Sequence, residues 1–209
     1  MYIKKEENIH MSKILDIPAI IFAGGKSARM GKDKALISFA DSNSLAEFQY
    51  KKLERLFKNV YISSKTNKFD FNAKIIYDIS KESSPMVGLY SVFKELSNDV
   101  VFILSVDMPM IEATHIDKLI RIYLDTNPKP DILMANSHRG NEPLFGIYDK
   151  NILPEIELLL LQNNHRMKDL SDRVNTQRHF FHEQDAFINI NTPRDYQMAN
   201  SKIISSCDN

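Results

Sequence analysis

The residues best suited to chemistry stand in one short run, Gly24-Gly25-Lys26-Ser27-Ala28-Arg29-Met30-Gly31-Lys32-Asp33-Lys34. Glycines let a backbone come close to a ligand and turn several amides toward it, which suits phosphate oxygens. Arg29 and Lys34 add positive charge for a polyphosphate. The spacing is not that of a P-loop: counted from Gly25, the next glycine is Gly31, one residue late, and Lys32 is followed by Asp33. The G-x-G-x-x-G dinucleotide fingerprint is absent too. Two carboxylates stand just after apolar runs. Asp107 closes residues 100–106 and precedes Met108-Pro109. Its oxygens suit Mg²⁺, which bridges one or two protein carboxylates to substrate phosphates, or else it caps the next turn. Asp78 follows residues 74–77 and reads as a ligand contact or as an Asx turn. Asn189 and Asn191 carry donors and acceptors together, and on a strand two residues apart they would face the same side.

The surrounding sequence supplies elements to hold these groups. Residues 18–23, 60–63, 74–77 and 100–106 read as strands. Helices are expected over 88–96 and 113–124, and after the capping box of Ser44 and Glu47. That helix would turn Leu45, Phe48, the Lys52 stem, Leu53, Leu56 and Phe57 toward one face. Such alternation predicts an open, mostly parallel sheet with helices on both faces, and ligands in such sheets bind beyond the carboxyl ends of the strands. The Gly24 loop, Asp78 and Asp107 all fall at those ends. The second half is less regular. Strands are expected at 131–135 and 143–148, joined by a polar loop, a helix at 152–161, and a loop with a short helix at 163–178. A short strand is expected at 187–190, then a helix with Thr192 as cap, Pro193 at its first position and Asp195 at its third.

The run from Ala23 to Leu36 fits the signature A-G-G-x-S-x-R-M-G-x-D-K-x-L at every fixed position. In this it resembles the molybdenum cofactor guanylyltransferases. The resemblance extends over roughly residues 17–200 and takes in Asp78, Pro85-Met-Val-Gly88, Asp107-Met-Pro109, Glu142-Pro-Leu-Phe-Gly146 and Asn189-Ile-Asn191-Thr-Pro-Arg-Asp195. It implies a Rossmann-like three-layer α/β sandwich of the nucleotide-diphospho-sugar transferase type. The implied reaction moves GMP from GTP to the phosphate of molybdopterin and releases pyrophosphate. Phe22, Ala23, Gly24, Gly25, Lys34, Asp78, Gly88 and Asp107 would then bind the nucleotide. Arg29, Lys34 and Asp107 would act in catalysis, with Mg²⁺ on Asp107, and Asn189 and Asn191 would face the pterin. His165, Arg166 and Lys168 either approach the pterin phosphate or form a solvated basic face. GTP and molybdopterin are the implied substrates, with transient contacts to other cofactor-biosynthesis proteins or acceptor apo-enzymes. The chain departs from the family at Phe22, where Leu is usual, at Ser64-Lys65-Thr66, where an Asn often stands, and at Ser84, where Gly is usual. Within the same fold, a cytidylyltransferase or a sugar-phosphate nucleotidyltransferase is the rival enzyme, against which the second glycine of Ala23-Gly24-Gly25 argues by leaving room for a purine. A nucleotide sensor without catalysis is the rival that is not an enzyme.

Composition narrows the classes further. The chain has 209 residues, 27 basic against 27 acidic, so no overall positive field attracts nucleic acid or an anionic membrane. No apolar run approaches the ~20 residues of a membrane span. Cys207 is the single cysteine and reads as an inert thiol, with no zinc spacing around it. Residues 1–16 read as a polar leader rather than a signal peptide, because Glu6 and Glu7 offset Lys4 and Lys5, and Met11 is an alternative start. A cytoplasmic protein with one domain over 17–200 is expected. Its nucleotide half would span 17–110, its second-substrate half 111–200, and a tail 201–209.

Overall fold

Apolar side chains occupy consecutive positions in strand β1 (Ala19–Phe22) and strand β4 (Val100–Ser105), so both faces of these strands need cover. The computed structural model, which describes residues 16–24, 33–80, 82 and 84–207, supplies that cover from two helical layers. Ile21, Phe102 and Leu104 point into one core with α1 (Leu45–Glu54), α3 (Ala113–Asp125) and α6 (Pro193–Cys207). Ile20, Phe22, Val101 and Ile103 point into the other with α2 (Pro85–Glu95), α4 (Leu153–Leu161) and α5 (Met167–Ser171). Burying each such side chain contributes roughly 1.5–3 kcal/mol, so the alternation fixes strand register as well as stability. The result is the three-layer sandwich expected.

The remaining strands are β2 (Val60–Ser64), β3 (Ile75–Tyr77), β5 (Ile132–Ser137), β6 (Gly140–Asp149) and β7 (Thr176–Phe180). Among the described residues they form a seven-stranded sheet in the order β3-β2-β1-β4-β6-β5-β7. Only β6 runs against the others, pairing antiparallel with β4 and with β5. The chain moves outward from β1 to β3 and then returns to lay β4 on the other side of β1. That reversal opens a crevice beyond the ends of β1 and β4, where open α/β sheets take their ligands.

Local signals in the sequence account for the helix starts. The Ser44 hydroxyl accepts from the Glu47 amide at 3.1 Å, while the Glu47 carboxylate reaches one residue further back, to the Asn43 amide at 2.9 Å. Ser84 caps α2 by accepting from the Val87 amide at 3.2 Å, with Pro85 in the first turn. At α6 the Thr192 hydroxyl accepts from the Asp195 amide at 3.2 Å, and the Asp195 carboxylate accepts from the Asn191 and Thr192 amides at 3.0 and 2.8 Å.

Three expectations in the second half need correction. Residues 163–178 hold the short helix α5 but also lead into β7, which was expected to be loop. Thr176-Gln-Arg-His-Phe lacks apolar alternation because β7 pairs only with β5 and lies at the sheet edge. The strand expected at 187–190 does not form. Gln184–Phe187 is a 3-10 turn, and the Ile190 amide donates to the Asp107 carbonyl at 2.9 Å instead of entering a ladder. Phe187 and Ile190 are buried nonetheless, so their apolar character reflects core packing rather than pairing. Asn189 and Asn191 therefore do not share a face by strand alternation. Helix α6 also runs on to Cys207, through the stretch read as tail, with Ile203 packed against the core.

Candidate functional site

Two adjoining regions lie at the crevice. The first is a pocket lined by Phe22, Gly24, Ser63, Asp78, Ser84, Pro85, Gly88 and Leu144. Its empty volume is about 380 Å³ counted out into the open mouth. The ends of β1, β2 and β3 and the first turn of α2 build it. Gly88 makes the close approach possible, since a Cβ there would stand 2.9 Å from the Ser63 hydroxyl and 3.6 Å from the Phe22 ring. The Ser63 hydroxyl donates to the Asp78 carboxylate at 3.1 Å. Burial raises the Asp78 carboxyl above its ordinary range, and the Ser63 hydrogen bond and the Lys65 charge pull it back. An acceptor fixed in a partly apolar pocket is suited to N–H donors on a flat ring.

The second region gathers Lys34, Asp107 and Asn191 from distant parts of the chain. The Lys34 ammonium donates to the Asn191 side-chain oxygen at 2.6 Å and lies 3.5 Å from the Asp107 carboxylate. The Ser105 hydroxyl donates to the other Asp107 oxygen at 2.7 Å. Both charged side chains keep access to solvent, 16% for Lys34 and 22% for Asp107, so a ligand can reach them. Of the residues singled out in the sequence, Phe22, Gly24, Asp78 and Gly88 come together in the pocket, and Lys34, Asp107 and Asn191 meet beside it. Ala23 directly follows β1 and is buried, with its carbonyl accepting from the Lys68 ammonium. Gly25 and Arg29 lie outside the described residues. The side-chain oxygen of Asn189 is buried without a hydrogen-bond partner among the described residues. His165 sits apart from Lys34 and Asp107, hydrogen-bonded to the Ser84 hydroxyl at 2.9 Å and paired with Glu82 at 2.8 Å. Arg166 and Lys168 are exposed, in keeping with a solvated basic face.

Several residues at the site carried no readable signal of a role. Lys68 spans the stem of the glycine loop, donating to the Ala23 carbonyl at 3.1 Å and pairing with Asp33. Glu142, on β6, is buried and accepts from the Ser137 hydroxyl at 2.8 Å. Burial raises its carboxyl, and the negative Asp107 nearby pushes the same way, against the hydrogen bond from Ser137 and the charge of Arg139. Lys52 is half-buried as a residue, and burial pulls its ammonium down to about 7 against the attraction of Glu112. Glu142 lies within a motif the sequence displays. The sequence places the Lys52 stem on the apolar face of α1 but gives no partner for its ammonium, and nothing local marks Lys68.

An open α/β sheet with a partly apolar pocket and a lysine–carboxylate pair at its switch point is the framework of a nucleotidyltransferase. Residues 19–179 match the model of the MobA-like NTP transferase domain, and the chain belongs to that family. It is 33% identical over 190 residues to the molybdenum cofactor guanylyltransferase of Campylobacter jejuni (strain RM1221), covering 90% of this chain and 97% of that one. The Helicobacter pylori (strain P12) enzyme of the same name is 31% identical over 192 residues, covering 88% and 92%. Among solved structures, molybdopterin-guanine dinucleotide biosynthesis protein A from Archaeoglobus fulgidus superposes with a TM-score of 0.77 at 20% identity, over 91% of this chain and all of that one. A CMP:2-keto-3-deoxy-manno-octonic acid synthetase bound to CTP gives a TM-score of 0.75 at 12% identity, over 92% and 100%. At such identities the likeness is one of fold, and the fold alone does not select the base.

Proposed function

We propose that this chain transfers GMP from GTP to the terminal phosphate of molybdopterin and releases pyrophosphate. The observation that carries this reading is the convergence of Lys34, Asp107 and Asn191 beside a pocket that presents Asp78. The base enters the pocket against Phe22 and Gly24. The N1–H and 2-amino donors of guanine match the Asp78 acceptor, whereas cytosine offers its amino group alone. Gly25 and the rest of the glycine run cradle the phosphates, with Arg29 and Lys34 facing the charge that develops on transfer. A phosphate oxygen of molybdopterin attacks the α-phosphorus, a new P–O–P bond forms, and the bond to the β-phosphate breaks with its electrons on pyrophosphate. The attacking phosphate is already ionised, so no strong base is needed. Asn191 and Asn189 stand on the acceptor side.

Asp107 fits Mg²⁺. It is a hard oxygen donor with one oxygen oriented by Ser105, and among the described residues no three His, Cys, Asp or Glu side chains cluster to enclose a metal. An ion here would take its remaining ligands from phosphates and water, as Mg²⁺ does. When bound, it neutralises charge on the reacting phosphates. No helix among the described residues is long and apolar enough to cross a membrane. We place the reaction in the cytoplasm, with transient contacts to proteins that deliver or accept the cofactor. The decisive experiment supplies GTP or CTP with molybdopterin and follows pyrophosphate. Release with GTP supports the proposal, a preference for CTP makes the chain a cytidylyltransferase, and binding without release makes it a sensor.

Two substitutions test the base pocket. Asp78→Asn keeps the shape of the side chain but removes its charge and half its acceptor capacity. Hydrogen bonds to charged groups contribute roughly 1.5–3 kcal/mol, so GTP should bind about 10–100-fold more weakly in calorimetric titration. Unchanged affinity would show that Asp78 only orders the turn. Gly24→Ala places a methyl at the pocket wall and should weaken GTP more than CTP, by about 1–3 kcal/mol. Because alanine at a strained backbone position would weaken both nucleotides alike, the ratio of the two affinities is the quantity that decides.

A further inference from the structure

The stretch from Ser105 to Glu112 leaves the sheet at its carboxyl edge, and several of its carbonyls have no ladder partner there. Buried carbonyls need donors from elsewhere. One helix provides them on both sides of Asp107. Gln49 of α1, fully buried, directs its amide nitrogen at the Ser105 and Val106 carbonyls, at 3.3 and 3.4 Å. Lys52, one turn further along the same face, donates to the Pro109 carbonyl at 3.1 Å and the Ile111 carbonyl at 2.8 Å. From the opposite side the Ile190 amide holds the carbonyl of Asp107 itself, at 2.9 Å. We propose that Gln49 and Lys52 are positioning residues that fix the backbone around Asp107 so that its carboxylate is aimed for metal binding. This rests on the reading of Asp107 as the metal-bearing residue.

The choice of lysine supports a positioning role over a stabilising one. A cation in this enclosed place is disfavoured by lost hydration, and no carboxylate among the described residues stands within ion-pair distance of it. A methionine of similar length would cover the same apolar surface and pack beside Phe48, over whose ring the ammonium now lies at 5.5 Å. What a methionine cannot do is bridge two carbonyls, for which the three ammonium donors are suited. Lys52 thus serves the loop at some cost to the fold.

The test compares wild type, Lys52→Met, Lys52→Arg, Gln49→Met and Asp107→Asn. Thermal melts report the fold. Calorimetric titration of Mg²⁺ into each protein saturated with a GTP analogue carrying a non-cleavable α–β bridge reports metal affinity. Groups that orient a metal ligand commonly contribute ~10–100-fold in metal affinity. Lys52→Met is expected to weaken Mg²⁺ by at least tenfold while the protein still melts cooperatively as a folded domain, with Lys52→Arg recovering part of the loss. Gln49→Met is expected to act in the same direction and supplies the answer if Lys52→Met does not fold. Wild-type metal affinity in both methionine variants, with Asp107→Asn impaired, would overturn the positioning role alone. Wild-type affinity in Asp107→Asn would overturn the metal reading beneath it.

Discussion

Asp107→Asn is expected to reduce pyrophosphate release from GTP and molybdopterin about a thousandfold, the equivalent of roughly 4 kcal/mol of lost transition-state stabilisation. The substitution preserves almost everything except charge. The hydrogen bond from Ser105 can persist, because the retained side-chain oxygen accepts as before. The Asp107 carbonyl remains held by the Ile190 amide. The contact with the Lys34 ammonium is long, at 3.5 Å, and partly solvated, so its loss should cost under about 1 kcal/mol of stability. A near-normal melting curve with turnover down by three orders of magnitude is therefore the expected pair of results. Turnover within tenfold of wild type would remove Asp107 from the catalytic machinery.

Lys34→Ala is the second large effect. Its ammonium is the described cation that touches both the carboxylate at the end of β4 and the asparagine ahead of α6. Removing a contact to transition-state charge commonly costs roughly 10²–10³ in rate. The loss should appear in kcat at saturating GTP, because the glycine backbone and the base pocket still bind the nucleotide. Lys34→Arg should rescue only in part, since a planar fork does not replace a point charge 2.6 Å from one oxygen. If the rate at saturating GTP is unchanged, Lys34 has no part in the transfer step. The two residues share a contact, so their effects should not add in a double variant.

Much of the site was legible because it uses strong local signals. A glycine run directly after an apolar strand, and an aspartate closing the most apolar run, mark the crevice without reference to tertiary structure. The Thr192, Pro193 and Asp195 start of α6 is equally local and forms as expected. Other parts depend on distant partners. Among the described residues β7 lies at the sheet edge with its side chains largely exposed, so it carries polar residues, and its pairing with β5 has no trace in its own sequence. Phe187 and Ile190 look like strand residues because burial, not pairing, selects their side chains. Strand alternation predicts a shared face for Asn189 and Asn191, yet a capped turn and the Lys34 ammonium hold Asn191 instead. The Lys52 stem is legible as part of the apolar face of its helix, but the carbonyls that its ammonium and the Gln49 amide serve come from the distant Asp107 loop and leave no local trace.

The pairing of Lys34 with Asn191 joins two side chains that lie far apart in the chain. Phe22, Gly24, Ser63, Asp78, Gly88 and Asp107 all come from segments up to the end of β4 and its following turn, whereas Asn191 comes after β7. The same late stretch returns to the early one a second time, where the Tyr196 hydroxyl donates to the Ser38 carbonyl and the Asn200 side chain accepts from the Ala40 amide, both at 2.7 Å. Loosening α6 should therefore disturb the Lys34 and Asp107 side of the crevice before it disturbs the base pocket, whose lining comes from other elements.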